Sequence, residues 1–388
     1  MSHSATTNQQ RSIHTQLVNF DAAPGDATRP SATPIYQTAT FEQESCDEFG
    51  AFDYSRSGNP TRTVLEKQIA TLEGGARALI YSSGMAAISS VLGLLNPGDE
   101  LVADADLYGG THRVISRILR PRGIYVRFVD ATNPSTLHDA ITANTKLVYV
   151  ETPSNPQLRI VDLARAAEST HRFGRAGPRL VVDGTMMSPF LQQPLALGAD
   201  IVIQSATKHL CGHGDVTAGT VAVRDADLGA QLAFTQNAEG TALGPFESFL
   251  LLRSIKTLGV RIERAQATAQ RIAVALASRK EIAAVHFPGL PEHRGAAIHA
   301  AQARGPGSVL SVQTSDLETA RRLCNATRLF ATTVSFGSVH SSISRPAGMS
   351  HASVPADQRA VPESLVRISV GLEDPAELIA DLLAALHG

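Results

Sequence analysis

Tryptophan is absent from this chain of 388 residues, aromatic residues make up 5% of it, and only three cysteines occur. The scarcity of aromatic side chains argues against a surface that binds single-stranded nucleic acid by base stacking. Cys46, Cys211 and Cys324 lie far apart in sequence and form no C-x-x-C pair. This spacing disfavours both a disulfide framework and a zinc ribbon, and we predict no metal site.

An excess of one charge and long apolar segments are also lacking. The 34 Lys and Arg residues nearly balance the 36 Asp and Glu residues, and a net charge of −2 provides no attraction for nucleic acid or an anionic membrane. No run of about 18 apolar residues is present, and residues 1–16 lack the apolar core of a secretory signal. We therefore expect a globular, cytoplasmic protein that contacts neither nucleic acid nor membrane.

Short apolar runs alternate with helical patterns from about residue 65 onward. Apolar strands that are separated by helices are typical of a mainly parallel sheet covered on both faces. A helix is predicted at residues 84–95, and a further strand at 219–223 is predicted to close the sheet. The other strands of this sheet are predicted at residues 78–81, 101–103, 125–129, 147–151, 180–183 and 201–204.

The pattern changes after residue 246. Apolar residues within 249–262 keep helical spacing for about four turns, which predicts one long helix that links two domains. Beyond it we predict a smaller α+β domain. Its strands are predicted at 309–312, 333–336 and 366–370, and its helices around 316–328 and at 375–386.

The first 48 residues contain Pro24, Pro30 and Pro34 and show no clear periodicity. We expect an extended arm that lies on a neighbouring subunit, and the alternative is a partly disordered tail. The predicted division is therefore an arm at 1–48, an α/β domain at 49–248 and a C-terminal domain at 249–388.

The strongest indication of a functional site lies at the end of the predicted strand 201–204, which is followed directly by Ser205, Thr207 and Lys208. In open α/β sheets, ligands bind outside the carboxyl ends of the strands. A partly desolvated lysine there has a lowered pKa, and its free amine can form an imine with a carbonyl group. The two hydroxyl groups suit a phosphate. Taken alone, such a pattern is more often a surface lysine.

Two further segments suit a phosphorylated aldehyde cofactor. Asp183 follows a second apolar strand and could pair with a protonated pyridine nitrogen, although a metal ligand or a turn would explain it equally well. Gly84 and Met85 lie where a strand runs into a helix, and the free amides of that first turn can bind an anion.

Two polar turns carry aromatic side chains. Tyr108 precedes two glycines and could lie flat on a planar ring, although a tyrosine packed on the surface is the plainer interpretation. Tyr54 and Arg56 belong to a turn whose phenol and guanidinium could both bind phosphate. A solvated turn is the alternative.

These segments together resemble one family. Seven motifs occur in the order typical of the Cys/Met-metabolism group of pyridoxal 5′-phosphate (PLP) enzymes, over about residues 14 to 386. The resemblance implies an α/β protein with the aspartate-aminotransferase-like fold (PLP fold type I) and usually a homotetramer built from two dimers. The motifs are YSRSGNPT (54–61), SSGMAA (82–87), DADLYGGT (104–111), ETPSNP (151–156), VVD (181–183), SATKH (205–209) and RISVGLE (367–373).

The resemblance also implies roles for the residues at the matching positions. Lys208 would hold the cofactor as an imine and move the substrate's protons. Asp183 would pair with the pyridine nitrogen, and Tyr108 would stack on the ring and assist acid–base steps. The cofactor's phosphate would be bound within one subunit by Gly84, Met85, Ser205 and Thr207.

Other matching positions would complete the site. Tyr54 and Arg56 would reach the phosphate in the neighbouring subunit. Asn155 would contact the cofactor's phenolic oxygen or the substrate carboxylate, and Arg367 would clamp the substrate's α-carboxylate through a bidentate pair. Ser335 would line the site near the lysine.

Within the family, residues 236–249 and 334–356 are similar to plant-type cystathionine β-lyases. This similarity favours β-elimination of cystathionine, an amino-acid substrate, to homocysteine, pyruvate and ammonia. Cystathionine γ-synthases and γ-lyases typically carry Glu where this chain has His340, which we place among the substrate-binding residues. Gly184 and Gly214 replace larger residues of the family and are predicted to enlarge the pocket.

Several alternatives stay open at this point. The enzyme could perform γ-elimination or γ-replacement, as cystathionine γ-lyase, cystathionine γ-synthase, methionine γ-lyase and O-acylhomoserine sulfhydrylase do, or it could be a specialised biosynthetic variant. From a different class, it could be a PLP-binding protein without activity. An unrelated nucleotide-binding α/β protein is disfavoured because no G-x-G-x-x-G follows a strand.

Overall fold

The structure is a computed structural model that describes residues 11–174, 176–349 and 361–387. Its larger sheet has seven strands in the order β1-β7-β6-β5-β4-β2-β3. The pairs β3–β2, β2–β4, β4–β5 and β5–β6 are parallel, whereas β7 runs antiparallel between β1 and β6. The strands are β1 (Arg77–Tyr81), β2 (Glu100–Asp104), β3 (Tyr125–Val129), β4 (Thr145–Glu151), β5 (Arg179–Asp183), β6 (Ile201–Gln204) and β7 (Gly219–Val223).

This architecture confirms the predicted mainly parallel sheet. The central strands are apolar on both faces because alternate residues enter two separate cores. In β5, for example, Leu180 and Val182 pack into one core while Val181 packs into the other. The strand predicted at 219–223 exists, but it lies within the sheet and not at an edge.

Helices cover both faces of the large sheet and one side of the smaller one. Their starts follow local sequence signals: Asn59 and Ser83 each accept a hydrogen bond from the first turn of the helix that follows. The helix predicted at 84–95 ends earlier, at Leu92. The helices are α1 (Ile13–Val18), α2 (Pro60–Glu73), α3 (Gly84–Leu92), α4 (Gly109–Val114), α5 (Pro134–Ala140), α6 (Leu163–His171), α7 (Ser188–Leu191), α8 (Ala226–Glu239), α9 (Pro245–Ile255), α10 (Leu258–Ala277), α11 (Ala296–Gln302), α12 (Leu317–Ala326) and α13 (Pro375–His387).

The smaller sheet has five strands in the order β10-β11-β12-β9-β8, and its core also includes residues of α10, α12 and α13. The strand predicted at 333–336 is wrong, because Ser335 has a φ of 82°, a left-handed conformation that a β-strand cannot contain. The predictions missed β8, β10 and β11, which are short or partly exposed. The strands are β8 (Ile282–His286), β9 (Val309–Thr314), β10 (Ala331–Thr332), β11 (Ser342–Ser344) and β12 (Leu365–Ser369).

The single long helix predicted at 249–262 is also wrong, because α9 ends at Ile255 and α10 begins at Leu258. The carbonyl of Ser254 accepts hydrogen bonds from the backbone and hydroxyl of Thr257 and from the guanidinium of Arg261. These bonds replace the regular helical bond at this carbonyl. Apolar side chains up to Ile262 pack in the large-sheet core, and the domain limits at 48/49 and 248/249 stay a prediction.

The N-terminal arm is only partly extended. Residues 13–18 form α1, which places Leu17 in the large-sheet core, whereas residues 19–59 contain no helix. The part of the predicted arm at 1–10 lies outside the described residues, as do residues 350–356 of the β-lyase-like segment. In the described part of the chain, no helix is both long and apolar enough to cross a membrane.

Candidate active site

A cavity of about 340 Å³ lies at the carboxyl ends of β4, β5 and β6, between the large sheet and the smaller domain. Its position follows from the topology, because the carboxyl ends of neighbouring parallel strands meet at one edge. The smaller domain closes it with β12 and the segment before Gly337. The lining residues are Ser83, Gly84, Met85, Ile88, Tyr108, Glu151, Asn155, Asp183, Thr185, Met186, Ser205, Thr207, Lys208, Thr217, Val334, Ser335, Phe336 and Arg367.

One end of this cavity is suited to an anion. Helix α3 begins at Gly84, and the hydroxyl of Ser83 accepts a hydrogen bond from the amide of Ala86 at 3.0 Å. The amides of the first turn have no acceptor within a helix and, together with the helix dipole, favour a negatively charged group. A Cβ atom at position 84 would lie 2.9 Å from the Cβ and Oγ of Ser205, so glycine allows the closest approach here.

Lys208 lies just beyond β6, and its Nζ donates a hydrogen bond of 2.6 Å to the hydroxyl of Ser335. Burial and, to a smaller extent, the positive charge of Arg367 lower the pKa of this amine to about 8. About one tenth of the amine is then uncharged at pH 7, far more than for an ordinary lysine, and an uncharged amine is the form that attacks a carbonyl carbon.

Asp183 ends β5 and is 5% exposed. Its Oδ1 accepts hydrogen bonds from the amide and hydroxyl of Thr185 at 3.0 and 2.5 Å, and its Oδ2 accepts one from the hydroxyl of Tyr149 at 3.3 Å. Burial raises the pKa of Asp183, whereas these hydrogen bonds oppose the rise. No cation of the described chain forms an ion pair with this carboxyl group, which therefore suits a protonated nitrogen of a ligand.

Arg367 reaches the cavity from β12 in the smaller domain. Its Nη1 donates to the Oδ1 of Asn155 at 2.8 Å, and its Nη2 donates to the backbone oxygen of Ser335 at 2.6 Å. Burial lowers the pKa of this guanidinium to about 10, so it remains charged at neutral pH. A buried, positively charged fork of donors at the cavity wall is suited to a carboxylate.

The structure brings most of the predicted site residues together in this one cavity. Tyr54 and Arg56 lie outside it: Tyr54 is exposed, and Arg56 donates through Nε to Asn237 at 3.1 Å. Their predicted role in a neighbouring subunit stays a prediction. The residues that meet in the cavity are Gly84, Met85, Tyr108, Asn155, Asp183, Ser205, Thr207, Lys208, Ser335 and Arg367.

His340 does not line the cavity of this chain, and its predicted place among the substrate-binding residues stays a prediction. Its side chain is exposed to solvent. The flanking residues explain this position, because Val339 donates its amide to the oxygen of Gly212 and Ser341 donates its amide to Glu373. These two bonds fix the turn with His340 on its outer side.

The prediction that Gly184 and Gly214 enlarge the pocket is also wrong, since neither residue lines the cavity. A Cβ atom at position 184 would lie 3.1 Å from the side-chain nitrogen of Gln204, and one at position 214 would be 4.0 Å from the hydroxyl of Ser338. Gly214 has a φ of 73°, a left-handed backbone conformation that glycine adopts more readily than residues with a Cβ atom.

Sequence reasoning missed several residues of the cavity, among them Thr185, Phe336 and Glu151. Glu151 could have been found by the argument that identified Asp183, because it is the last residue of a predicted strand and begins the ETPSNP motif. Phe336 gave no such signal: its ring lies near both Lys208 and Arg367 only through the fold. In the residues that the structure describes, no cluster of three or more His, Cys, Asp or Glu side chains could hold a metal ion.

Three groups lie at the carboxyl edge of this mainly parallel sheet: a buried amine, a buried carboxyl without an ion-pair partner in the described chain and a helix start suited to an anion. This combination is typical of PLP enzymes of fold type I. The sequence profile of the Cys/Met metabolism PLP-dependent enzymes matches residues 14–387. The chain belongs to this family, and it is a PLP-dependent carbon–sulfur lyase.

Relatives of known function support this assignment. The chain is 45% identical to the chloroplastic cystathionine beta-lyase of Arabidopsis thaliana, over 96% of this chain and 80% of that protein. It is 44% identical to the cystathionine beta-lyase MetC of Bacillus subtilis, with 96% of each chain covered. The cystathionine gamma-lyase of Bacillus subtilis is 41% identical, over 96% of this chain and 98% of the relative.

Solved structures agree with the fold. The crystal structure of metB from Corynebacterium glutamicum superposes with a TM-score of 0.95 at 39% identity, covering 98% of this chain and 99% of that one. The cystathionine gamma synthase of Xanthomonas oryzae, in complex with cystathionine, gives a TM-score of 0.94 at 39% identity, covering 97% and 98%. The predicted fold and PLP dependence are therefore confirmed.

The donor set of the cavity fits PLP. The start of α3 with Gly84 offers amides for a phosphate, and Asp183 offers a buried carboxyl for the pyridine nitrogen. Lys208 offers the amine for the aldehyde carbon. When bound, the cofactor supplies an electron sink for the carbanion that forms next to the amino group.

A methyl group at position 84 tests the anion end of the cavity. We expect Gly84→Ala to weaken PLP binding about 10- to 100-fold, because the new Cβ would displace Ser205 and hold the phosphate away from the amides. Titration of the apoenzyme with PLP, followed by absorbance, measures the effect. Gly50→Ala is the matched control, since its Cβ would make only an ordinary contact of 3.6 Å with Gln43. Equal PLP affinity in the two variants would contradict the assignment.

Proposed function

We propose that the enzyme is a cystathionine β-lyase, which cleaves L-cystathionine to homocysteine, pyruvate and ammonia. Cystathionine beta-lyases from a plant, a fungus and a bacterium are each 44–45% identical to this chain over 96% of its length. The cavity contains a guanidinium suited to the α-carboxylate of such a substrate, that of Arg367, and an amine suited to its Cα proton, that of Lys208.

Each residue would have a defined task in this reaction. Arg367 binds the α-carboxylate of the substrate, and Asn155 holds the guanidinium in place through its Oδ1. Lys208 removes the proton from Cα, and Asp183 keeps the pyridine nitrogen protonated. Tyr108, which is 37% exposed at the mouth of the cavity, covers the ring of the cofactor.

The similarity to cystathionine beta-lyases carries β-elimination, and the cavity supplies the base that this reaction requires, the amine of Lys208. Among the described lining residues, Lys208 carries the amine, whereas the carboxyls of Asp183 and Glu151 already accept hydrogen bonds from N–H or O–H groups. β-Elimination requires one proton to be removed, at Cα. γ-Elimination also requires a proton transfer at Cβ, and His340 is not among the residues that line the cavity.

Identification of the keto acid tests this proposal. We expect L-cystathionine to give pyruvate and homocysteine, and not 2-oxobutanoate and cysteine. His340→Ala is a control, and its exposed position predicts the same product at a rate within about twofold of the wild type. If 2-oxobutanoate dominates, the enzyme is a γ-lyase, the activity of its 41% identical relative in Bacillus subtilis. If it also disappears in His340→Ala, His340 takes part in that reaction.

We also propose that the enzyme is a cytoplasmic homotetramer, a dimer of dimers whose sites are shared between two subunits. Tyr54 and Arg56 lie together on the surface, with the guanidinium 5.2 Å from the phenol ring. Nearby in sequence, Phe49 is 69% exposed. A large exposed apolar residue close in sequence to this pair favours contact with a second copy of the chain.

Subunit mixing tests the shared site. We expect Arg56→Ala and Lys208→Ala each to be inactive or nearly so, and their mixture to recover activity. Random exchange of subunits would give about one quarter of the wild-type activity, because half of the dimers would each contain one intact site. The control mixes Lys208→Ala with the Arg56→Ala/Lys208→Ala double variant, in which no site contains a lysine. Proven exchange without recovery would show that Arg56 serves the site of its own subunit.

A further inference from the structure

Glu151 is a buried carboxyl group that connects two loops of the cavity. It is the last residue of β4 and is 5% exposed. Its Oε2 accepts the backbone N–H of Tyr108 at 2.9 Å, and its Oε1 accepts the backbone N–H of Asn155 at 2.9 Å. The first loop follows β2, and the second follows β4 itself.

Each loop carries a side chain that the proposed function uses. Tyr108 stands at the cavity mouth, directly before α4. Asn155 accepts the hydrogen bond from Arg367, so its position determines where the guanidinium lies. A single carboxyl group thus holds Tyr108, which the proposed function places over the cofactor ring. Through Asn155 it also holds Arg367, which faces the substrate carboxylate.

The surroundings of Glu151 provide two backbone amide donors for its carboxyl group. In the parts of the chain that the structure describes, no Lys or Arg forms an ion pair with it. Burial and the nearby carboxyls of Asp183 and Asp106 raise its pKa well above the ordinary value, whereas the hydrogen bonds from the amides of Tyr108 and Asn155 lower it by stabilising the ionised form. The amides of Tyr108 and Asn155 offset the cost of burying this carboxyl group, because each donates a hydrogen bond to a different oxygen.

The two contacts also explain why glutamine would not replace it. A glutamine side chain has one acceptor oxygen, and its amide nitrogen would face one of the two backbone N–H donors. An aspartate side chain is one methylene shorter and could not reach both loops. A side chain with two acceptor oxygens at this length is glutamate alone.

We propose that Glu151 is a positioning residue of the active site, which sets the places of Tyr108 and Arg367 by binding both loops through its two oxygens. The proposal rests on the proposed function for the choice of substrate. It also makes a prediction for the bound cofactor that does not depend on any substrate.

The test compares Glu151→Gln with Glu73→Gln in the holoenzyme. Glu73 is a matched control, because it too is a buried glutamate, and it binds the side chain of Gln204 at 2.8 Å away from the cavity lining. We expect Glu151→Gln to lower kcat/KM for L-cystathionine about 10- to 100-fold, since one N–H is left without an acceptor. We expect the visible circular dichroism of the bound cofactor to change as well, and Glu73→Gln to alter neither.

A double-variant cycle separates positioning from general destabilisation. If Glu151 acts through Asn155, the effect of Glu151→Gln on kcat/KM should shrink at least about threefold when Asn155 is already replaced by alanine. Additive effects, or an unchanged dichroism with kcat/KM within about twofold of the wild type, would overturn the proposal. A wild-type enzyme that does not cleave cystathionine would instead contradict the proposed function, and the dichroism of Glu151→Gln would still decide the role of Glu151.

Discussion

Replacement of Lys208 by alanine is expected to lower turnover by about 10⁴-fold or more while the protein still binds PLP. In the proposed function the amine both holds the cofactor covalently and removes the Cα proton, and the loss of a positioned general base alone typically decreases the rate about 10²–10⁴-fold. Gly84 and Asp183, which we propose to bind the phosphate and the pyridine nitrogen of the cofactor, remain in this variant. The measurements are the rate of keto-acid formation and the visible absorption of the purified variant, which should lose the band of the lysine-bound cofactor.

Two controls make this result specific. Lys280→Ala removes an exposed lysine between α10 and β8, and it should leave both turnover and absorption unchanged. Addition of a small primary amine to Lys208→Ala should restore part of the proton transfer, because the missing side chain leaves room for it beside Ser335. Turnover at the wild-type rate in Lys208→Ala would remove the basis for the assigned site.

The second large effect is expected for Arg367→Ala. Two hydrogen bonds from a charged guanidinium to the substrate carboxylate contribute about 1.5–3 kcal/mol each, so kcat/KM should fall about 10²- to 10⁴-fold, mainly through a higher KM. Arg367→Lys keeps the charge but not the planar fork, and it should recover only a small part of the loss. Steady-state kinetics with L-cystathionine provide the measurement.

The matched control is Arg271→Ala, because Arg271 lies exposed on α10 away from the cavity. The absorption of the bound cofactor shows whether Arg367→Ala retains PLP, since Asn155 and the oxygen of Ser335 both lose a donor in this variant. An unchanged KM in a variant that retains PLP would contradict the binding of substrate carboxylate at Arg367.

Much of the larger domain follows from the sequence by itself. Strands such as 180–183 and 201–204 are apolar on both faces, and this pattern determines that helices must cover both sides of the sheet. Asp183 and Lys208 come directly after such strands. Because the strands are parallel, their carboxyl ends meet at one edge, so the local pattern was enough to place both groups near one another.

Only the tertiary structure decided the features that depend on distant parts of the chain. The break between α9 and α10 arises from the bonds of Thr257 and Arg261 to Ser254, although the apolar spacing continues through it. His340 faces solvent because Gly212 and Glu373, far away in sequence, hold the residues beside it.

The same limit applies to the link made by Glu151. Its carboxyl group binds the amide of Tyr108, which is 43 residues away in sequence, and the amide of Asn155, which is 4 residues away. Residue patterns encode which face of an element is buried, since burial depends on local periodicity. They do not encode which distant donor meets a given acceptor, because that depends on how the elements pack. The sequence therefore determined the sheet, the cofactor and the strand-end groups, and the packing decided how those groups are oriented.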